Sequence, residues 1–553
     1  MKKVTLPAWQ LALAAATLMI ALNNRVLFGH LLANLDLLSF DGVSFLVTIV
    51  LLMLSVLLVP LLLFGAGPVL KPLIAVFFVG AAVLGYFANE MGVVFDEGML
   101  LNIGDTVREG NIAEATELVS LPMLMYVAVR GVLPASLLFF VTVASRPIVR
   151  ELGVRAVAVG LTFVLLTGAA LSNYKYVSYF AVEHRDLRFM VIPAFPLLSL
   201  AKIARDAARS ERPFRVIDAD AMQARHGAKR SVGIMVVGET ARADRFSLGG
   251  YGRNTNPLLA AEDHVLYAHG TSCGTSTLFS VPCMFSLRGR HDYSTTLAQH
   301  ESNVLDVLQS AGVHIVWIDN NSSCKGVCDR VESVNLKRQA DPASELFSDA
   351  GYYDEVLLQQ VDRYLEEDGA DVLLVLHVMG SHGPAYSRRY PERFAYFTPY
   401  CHSKSPKECS DAEVSNAYDN TIVYTDYLLE QLIEKLRSHA AEIDGFLFYA
   451  SDHGESLGES GVYLHGLPYD LAPAAQTDIP FILWLSPGFQ ASHRIADRVV
   501  QTIGSHSLSH DNISHTLLGL YDVQAHAYRP ELDILPDNVS LISKTGATTS
   551  SQN

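Results

Sequence analysis

The first 272 residues of this 553-residue chain hold no cysteine, although six lie from Cys273 onward. Positive charge is also outnumbered, with 41 Lys and Arg against 57 Asp and Glu, and the resulting net charge of -16 would repel a phosphate backbone and excludes nucleic acid as a partner. No segment repeats itself, which excludes a solenoid or propeller. Low complexity is confined to the Ser/Thr-rich end, where residues 541–553 are expected to be a disordered tail. What the first third lacks most is charge of either sign. With 50% hydrophobic residues overall, the chain is too apolar for a wholly soluble protein, and the excess lies before about Leu171.

That excess is organised into stretches near the roughly 20 residues a helix needs to cross a hydrocarbon core. Five are read, near Trp9 to Phe28, Ser44 to Ala66, Leu70 to Phe87, Leu121 to Val143 and Val154 to Leu171. The first lacks a clear small-residue cleavage site and is expected to stay as an anchor. Lys2, Lys3, Lys71, Arg146, Arg150 and Arg155 flank alternate ends, whereas the segment from Glu90 to Glu117 is mostly acidic. The basic ends face the cytoplasm. An odd number of crossings then carries everything after Leu171 across a bacterial inner membrane to the periplasm. The expected organisation is a transmembrane domain over 1–172, an interfacial and linker segment over 173–230, and a periplasmic catalytic domain over 231–540. The middle segment, aromatic and then basic, reads as amphipathic helices lying on the bilayer or as a plain spacer.

The cysteines agree with an oxidising compartment. They fall in three close couples, Cys273 with Cys283, Cys324 with Cys328, and Cys401 with Cys409. Neighbour pairing is the expectation among about 15 connectivities. Cys324 and Cys328 also have the spacing of zinc ligands, but the other couples do not.

The later part alternates short apolar runs with helical patterns. "SVGIMVVGE" (Ser231 to Glu239), "HIVWIDN" (His314 to Asn320), "DVLLVLHVMG" (Asp371 to Gly380), "GFLFYASDH" (Gly445 to His453) and "IPFILWLS" (Ile479 to Ser486) read as buried strands of a mainly parallel sheet sandwiched by helices. In such sheets the ligand crevice lies beyond the C-terminal strand ends. Glu239, His377, His382, Asp452 and His453 stand there. Carboxylates and imidazoles in that number suit a borderline divalent cation such as zinc. Singly, each acid reads as a cap or ion-pair partner and each histidine as a satisfied hydrogen-bonding group; together they point to a metal. A nucleophile is offered by "SCGTSTLFSVPCMFS" (Ser272 to Ser286), whose four early hydroxyls precede a helical pattern. A hydroxyl at a helix N-terminus beside a dication suits phosphoryl chemistry. Spacing does not select among the four, and an N-cap is the plain alternative.

"VVGETARADRFSLGGYGRNTNP", "CGTSTLFSVPCMFS", "GSHGPAY" and "SDHGESLGESGVYLHGLPYDLAP" closely resemble motifs of the bacterial phosphoethanolamine transferases, members of the alkaline phosphatase superfamily that include lipid A modifying and mobile colistin resistance enzymes. The resemblance extends over the whole chain, since five spans followed by a periplasmic domain of alkaline phosphatase/sulfatase type is also the family's plan. It implies Thr277 as nucleophile and Glu239, Asp452 and His453 as the other ligands of one zinc, with a second zinc possible. His382 and His465 fall on positions used for the phosphoryl group, a second zinc or proton transfer. Ser322, Lys325 and Asp292 resemble positions that contact the substrate head group, and Asn102, Thr106 and Glu114 match a polar set on a membrane-domain loop, with a longer gap before Glu114 than the family has. Glu455 is expected to support its neighbours, and Glu459 has no assigned role. The implied reaction moves phosphoethanolamine from phosphatidylethanolamine, through a phosphothreonine-type intermediate, to lipid A or the lipopolysaccharide core, releasing diacylglycerol and lowering surface negative charge. A monomer is expected. A phosphoglycerol transferase of the same superfamily and a non-catalytic envelope scaffold are the alternatives; a sulfatase lacks support because no Cys/Ser-x-Pro-x-Arg sequence occurs near Thr277.

Overall fold

A computed structural model describes residues 4–35, 39–65, 67–108, 116, 118–172, 174, 190–207, 213–224, 229–339, 341–348, 350–367, 369–493, 495 and 508–535. The expectations for Glu114, for most of the aromatic start of the interfacial segment and for the 541–553 tail fall outside these residues. Two compact units emerge. The first comprises Met1–Leu101, Val119–Arg209 and Ser460–Val462, and the second Asn102–Leu118, Ser210–Glu459 and Tyr463–Asn553.

Among the described residues of the first unit four helices are long and apolar enough to cross a membrane: Gly42–Phe64, Gly67–Met91, Leu121–Phe140 and Ile148–Leu171. The fifth expected span is a pair, Ala8–Asn23 and Arg25–Ala33, bent by 74°. Asn24 stands at the break. Its Nδ2 donates to the carbonyls of Ile20 and Ile192, and its Oδ1 accepts from Ile192 N–H. One amide side chain thus satisfies backbone groups that a bend in an apolar medium would otherwise strand. Asn89 does the same from another helix, donating to Asn23 O at 2.7 Å and accepting from Val26 N–H at 3.1 Å.

The second unit is built on an eight-stranded sheet. Its strands in chain order are β1 (Arg230–Gly238), β2 (Val265–Thr271), β3 (His314–Asp319), β4 (Glu332–Asn335), β5 (Val372–His377), β6 (Ile443–Ser451), β7 (Asp478–Leu485) and β8 (Leu508–Ser509). Across the sheet they run β8-β2-β7-β6-β1-β5-β3-β4. From β6 to β4 every pairing is parallel, whereas β7 lies antiparallel to both β6 and β2. The sheet is therefore mixed, and the run at Ile479, expected to join the parallel set, is its reversed strand.

Alternate residues of β1 divide between two cores. Met235 and Val237 pack with α1 (Thr277–Met284), α2 (Val304–Ser310) and α5 (Asp511–Leu520), while Val232, Ile234 and Val236 pack with α3 (Leu358–Glu366) and α4 (Asp411–Ser438). Each fully buried Leu, Ile or Phe on these faces contributes about 1.5–3 kcal/mol. α4 is fixed at its start by a reciprocal cap between Ser410 and Glu413. Disulfides join Cys273 to Cys283, Cys324 to Cys328 and Cys401 to Cys409. Neighbour pairing is what the structure contains.

Candidate active site

Because β6, β1, β5 and β3 are adjacent and parallel, their C-terminal ends open on one edge of the sheet. Glu239 follows β1 directly and Asp452 and His453 follow β6. All three are buried, and ligating atoms from them lie within 4.8 Å of one another. β2 ends on the same edge, since its Thr271 pairs with Asp478 at the start of reversed β7. A five-residue loop after Thr271 then leads to Thr277, the first residue of α1. The Thr277 hydroxyl donates to Glu239 Oε2 at 3.1 Å and lies 3.4 Å from His453 Nε2. Of the four candidate hydroxyls, Ser272 bonds Gly274 O and Thr275 bonds Leu467 O, whereas Thr277 reaches the acids.

The group is held from several sides. Asp452 Oδ1 accepts from the Thr240 and His453 amides at 3.1 and 2.7 Å. Thr240 occupies a left-handed conformation (φ 52°), uncommon for a residue with a branched Cβ, and Tyr418 of α4 pins it by donating to its carbonyl at 2.6 Å. His453 donates from Nδ1 to Gly454 O at 2.9 Å, so its Nε2 lone pair faces Asp452 Oδ2 at 3.3 Å and Glu239 Oε1 at 3.6 Å. Burial holds His453 well below its ordinary pKa, and burial pushes the Asp452 carboxyl up to about 6.

These residues fit a divalent cation. Among the described residues Asp452 Oδ2 is buried without a hydrogen-bond partner, and two converging carboxylates are costly unless a cation balances them. Two carboxylates, a neutral imidazole and a hydroxyl are a donor set for zinc, with the hydroxyl in the place that catalytic sites leave for the reacting group.

The remaining expected residues sort as follows. His465 packs on His453 with ring centroids 4.4 Å apart, and His382 lies 5.6 Å from His465. His465 Nδ1 donates to Glu455 Oε2 at 2.7 Å, and Tyr386 donates to the other oxygen of this buried carboxylate. Burial, aided by Arg389 and His465, holds His382 well below its ordinary pKa. Glu459, to which the sequence assigns no role, accepts from Arg242 at 2.6 Å. His377, a strand-end candidate, turns instead to Asp319 at 3.3 Å beneath the Trp317 ring. Lys325 occupies a left-handed turn (φ 51°) inside the Cys324–Cys328 ring, and Ser322 precedes it on the same loop. Asn102 and Thr106 fall one turn apart on the helix Glu97–Arg108. Asp292 is exposed, and among the described residues no side-chain bond joins it to the cluster.

Two residues passed over in the sequence reading do much of the positioning. Asn321, just past β3, donates from Nδ2 to Glu239 Oε2 at 2.9 Å and to Val378 O at 2.8 Å. His510, just past β8, accepts from the Cys273 amide at 3.0 Å and donates to Ser451 O at 2.9 Å, tying the loop before Thr277 to the strand that leads into Asp452. Their place beyond strand ends was the available signal.

A family model described as Phosphoethanolamine transferase EptA/EptB matches residues 50–208, and one described as Sulfatase matches residues 232–523. Phosphoethanolamine transferase EptA of Escherichia coli strain K12 is 36% identical over 540 residues, covering 96% of this chain and 97% of that protein. The chain belongs to the phosphoethanolamine transferase family. Phosphatidylethanolamine transferase Mcr-1 of Escherichia coli is 38% identical over 501 residues, 88% of this chain and 90% of that one. Among solved structures, the integral membrane protein lipooligosaccharide phosphoethanolamine transferase A from Neisseria meningitidis aligns with a TM-score of 0.89 at 32% identity, covering 96% of this chain and 99% of that one. The enzyme is thus a transferase whose sulfatase-like domain carries the Thr277 cluster.

Proposed function

We propose that the enzyme moves phosphoethanolamine from phosphatidylethanolamine to lipid A or the lipopolysaccharide core, acting as a monomer in the bacterial inner membrane with its catalytic unit in the periplasm. The observation that carries this reading is the Thr277 hydroxyl at 3.1 Å from Glu239 Oε2, within the buried Glu239, Asp452 and His453 group. Those three side chains and Thr277 Oγ1 would hold zinc. Bound there, zinc would act as a Lewis acid that lowers the pKa of the threonine hydroxyl and carries part of the charge that develops on phosphate.

Glu239 Oε2, which accepts the Thr277 hydroxyl hydrogen bond, takes that proton as Oγ1 reacts. The first amides of α1 have no partner within the helix and suit phosphate oxygens. Thr277 Oγ1 forms a bond to the donor phosphorus, the bond from phosphorus to the glycerol oxygen breaks, and diacylglycerol leaves. His465, whose Nδ1 donates to Glu455, supplies the proton that oxygen takes. His382, held neutral by burial, serves as a hydrogen-bonding or metal-binding imidazole and not as the acid. Lys325 balances charge on the phosphoryl group, as this transfer requires, with Ser322, Asn102, Thr106, Glu114 and Asp292 assigned to head-group contact. In the second step a phosphate or sugar oxygen of the acceptor forms a bond to phosphorus and the bond from phosphorus to Thr277 Oγ1 breaks; Glu239 returns the proton to Oγ1, and the proton of a sugar hydroxyl passes to His465.

The test uses full-length enzyme in lipid nanodiscs with labelled phosphatidylethanolamine or phosphatidylglycerol. Intact-protein mass spectrometry should show a phosphoethanolamine adduct with the first lipid, lost in Thr277→Ala together with all transfer to lipid A. An adduct from phosphatidylglycerol alone would mean a phosphoglycerol transferase. A cellular phenotype that survives Thr277→Ala would mean a scaffold.

A further inference from the structure

Between His453 and His465 the chain makes a hairpin, in which Ser456 pairs with Leu464 and Leu457 with Tyr463. The hairpin returns the His465 ring to 4.4 Å from the His453 ring, whose Nε2 lies 3.4 Å from Thr277 Oγ1. That return is not a relaxed path. Leu464 (φ 66°) and Gly466 (φ 89°), on either side of His465, are both left-handed, and a leucine stays there only where its surroundings hold it. Gln476 does the holding. It is 0% exposed and sits on the short helix Ala474–Thr477 that leads into β7. Its Nε2 donates to Leu464 O at 3.1 Å and to Ser456 Oγ at 3.0 Å, and its Oε1 accepts from Leu467 N–H at 3.2 Å. Its main-chain carbonyl accepts from Gly454 N–H at 3.0 Å. One residue thus bonds the backbone on both sides of His465 and beside His453. The same returning segment is joined to the loop before Thr277, because Thr275 Oγ1 donates to Leu467 O at 2.6 Å and Tyr469 OH donates to Ser272 O at 2.9 Å.

We propose that Gln476 is a positioning residue for the transfer, one that sets the His465 imidazole at the oxygen leaving phosphorus. The inference rests on the acid role given to His465 in the preceding section. Glu455, accepting from His465 Nδ1 at 2.7 Å, fixes how the ring is turned. Where the backbone carries the ring is a separate matter, and the Gln476 amide decides it. A primary amide offers a donor and an acceptor side by side; Leu464 O takes the first and Leu467 N–H the second. A carboxylate there would set an oxygen against the Leu464 carbonyl, and an aliphatic chain would serve neither group. With both bonds gone, Leu464 leaves its left-handed conformation and the ring moves with it. A displacement of about 1 Å at a catalytic group can cost about 100-fold in rate. Glu239, Asp452 and His453 are steadied by other bonds, from Asn321, from the Thr240 amide and to Gly454 O. Loss of the Gln476 side chain therefore impairs departure of the leaving oxygen and spares attack by Thr277.

The experiment gives full-length, zinc-loaded enzyme in nanodiscs two soluble donors that differ in the leaving oxygen. The phenolate of p-nitrophenyl phosphoethanolamine leaves without a proton, whereas that of phenyl phosphoethanolamine leaves faster with one. The readout is the ratio of kcat/KM for the first donor to that for the second. Gln476→Met, of nearly equal length, should raise this ratio about tenfold or more by slowing the phenyl ester, within the 100- to 10,000-fold or so that a general acid contributes. His465→Ala should raise it at least as far, and adding Gln476→Met to His465→Ala should raise it no further, since the two side chains act as a unit. Ser456→Ala removes the other acceptor of Gln476 Nε2 and keeps both ties to the His465 segment. It should hold the wild-type ratio whatever its melting temperature, which separates positioning from general loss of stability. An unchanged ratio in Gln476→Met, an equal fall for both donors, or additive effects in the double variant would each overturn the assignment. A ratio unchanged in His465→Ala would overturn the acid role and the inference with it. Failure of the donor reading looks different, because wild-type enzyme would then form no phosphoethanolamine adduct on Thr277 from either ester, and the inference would fall with it.

Discussion

His510 illustrates how one side chain can tie two parts of a site together and betray itself through pH. Burial holds it down to about 4, against an ordinary value of 6.5. The neutral ring is fully used, because one nitrogen accepts from Cys273 N–H and the other donates to Ser451 O. Protonation would set a second N–H against the Cys273 amide. A depressed folded pKa stabilises the fold above 6.5, and the contribution disappears as pH falls through about 4. Over that window the unfolded chain binds the extra proton, for a limiting effect of about 3 kcal/mol. His510→Gln keeps one acceptor and one donor and removes the titration. Melting curves between pH 6.5 and 4 should fall more steeply for wild type than for this variant; equal slopes would remove His510 from the account. Asn321 acts on the proposed metal site instead. It steadies Glu239 Oε2, and Asn321→Ala should weaken zinc binding about 10- to 100-fold, measured by competition with a chelator.

The turn after β5 makes the corresponding case for an element. Gly380 has φ 52°, and a Cβ there would lie 2.8 Å from Glu239 O and 3.1 Å from Glu239 N. Ser381 N–H bonds the same Glu239 carbonyl at 3.0 Å, and Asp354 accepts from the amides of Met379 and Gly380. Gly380→Ala should cost about 1–3 kcal/mol and displace Glu239. Gly312→Ala is the control: its φ is 100° but no atom lies within 4 Å of the added carbon. It should lower the melting temperature with zinc content intact, whereas Gly380→Ala should lower both. Strands such as β1, β3, β5 and β6 were legible because burial on both faces leaves a continuous apolar run, and their ends named Glu239, Asp452 and His453. The same burial hid the reversal of β7, since a strand covered on both faces reads alike in either direction. β2 was missed because its residues are only partly buried, and β4 and β8 because they are short. Asn321, Asp354 and His510 could not be assigned roles from sequence, because each acts on a segment distant in the chain. The break at Asn24 was equally illegible, its hydrogen bond to Ile192 spanning 168 residues.

At the scale of the whole molecule, the disulfides and the Thr277 cluster all belong to the second unit. Removing metal should therefore act on that unit's unfolding and leave the helical unit's transition in place. A ligand that binds only the folded state at 100 times its Kd adds about 2.7 kcal/mol, so chelation should lower the catalytic transition and zinc should restore it. The size of this effect should depend on pH, with a definite sign. Without metal, burial lifts Asp452 from 3.8 to about 6. A raised folded pKa gives stability that is present below 3.8 and lost as pH rises through about 6, because the fold must then hold an uncompensated carboxylate. A bound cation removes that cost. The gap in melting temperature between zinc-loaded and chelated enzyme should accordingly widen from pH 5 to pH 7, and in Asp452→Asn it should be smaller and flatter. His510 titrates in both forms and cancels from the difference. A gap of equal size at the two pH values would show that Asp452 does not meet the metal.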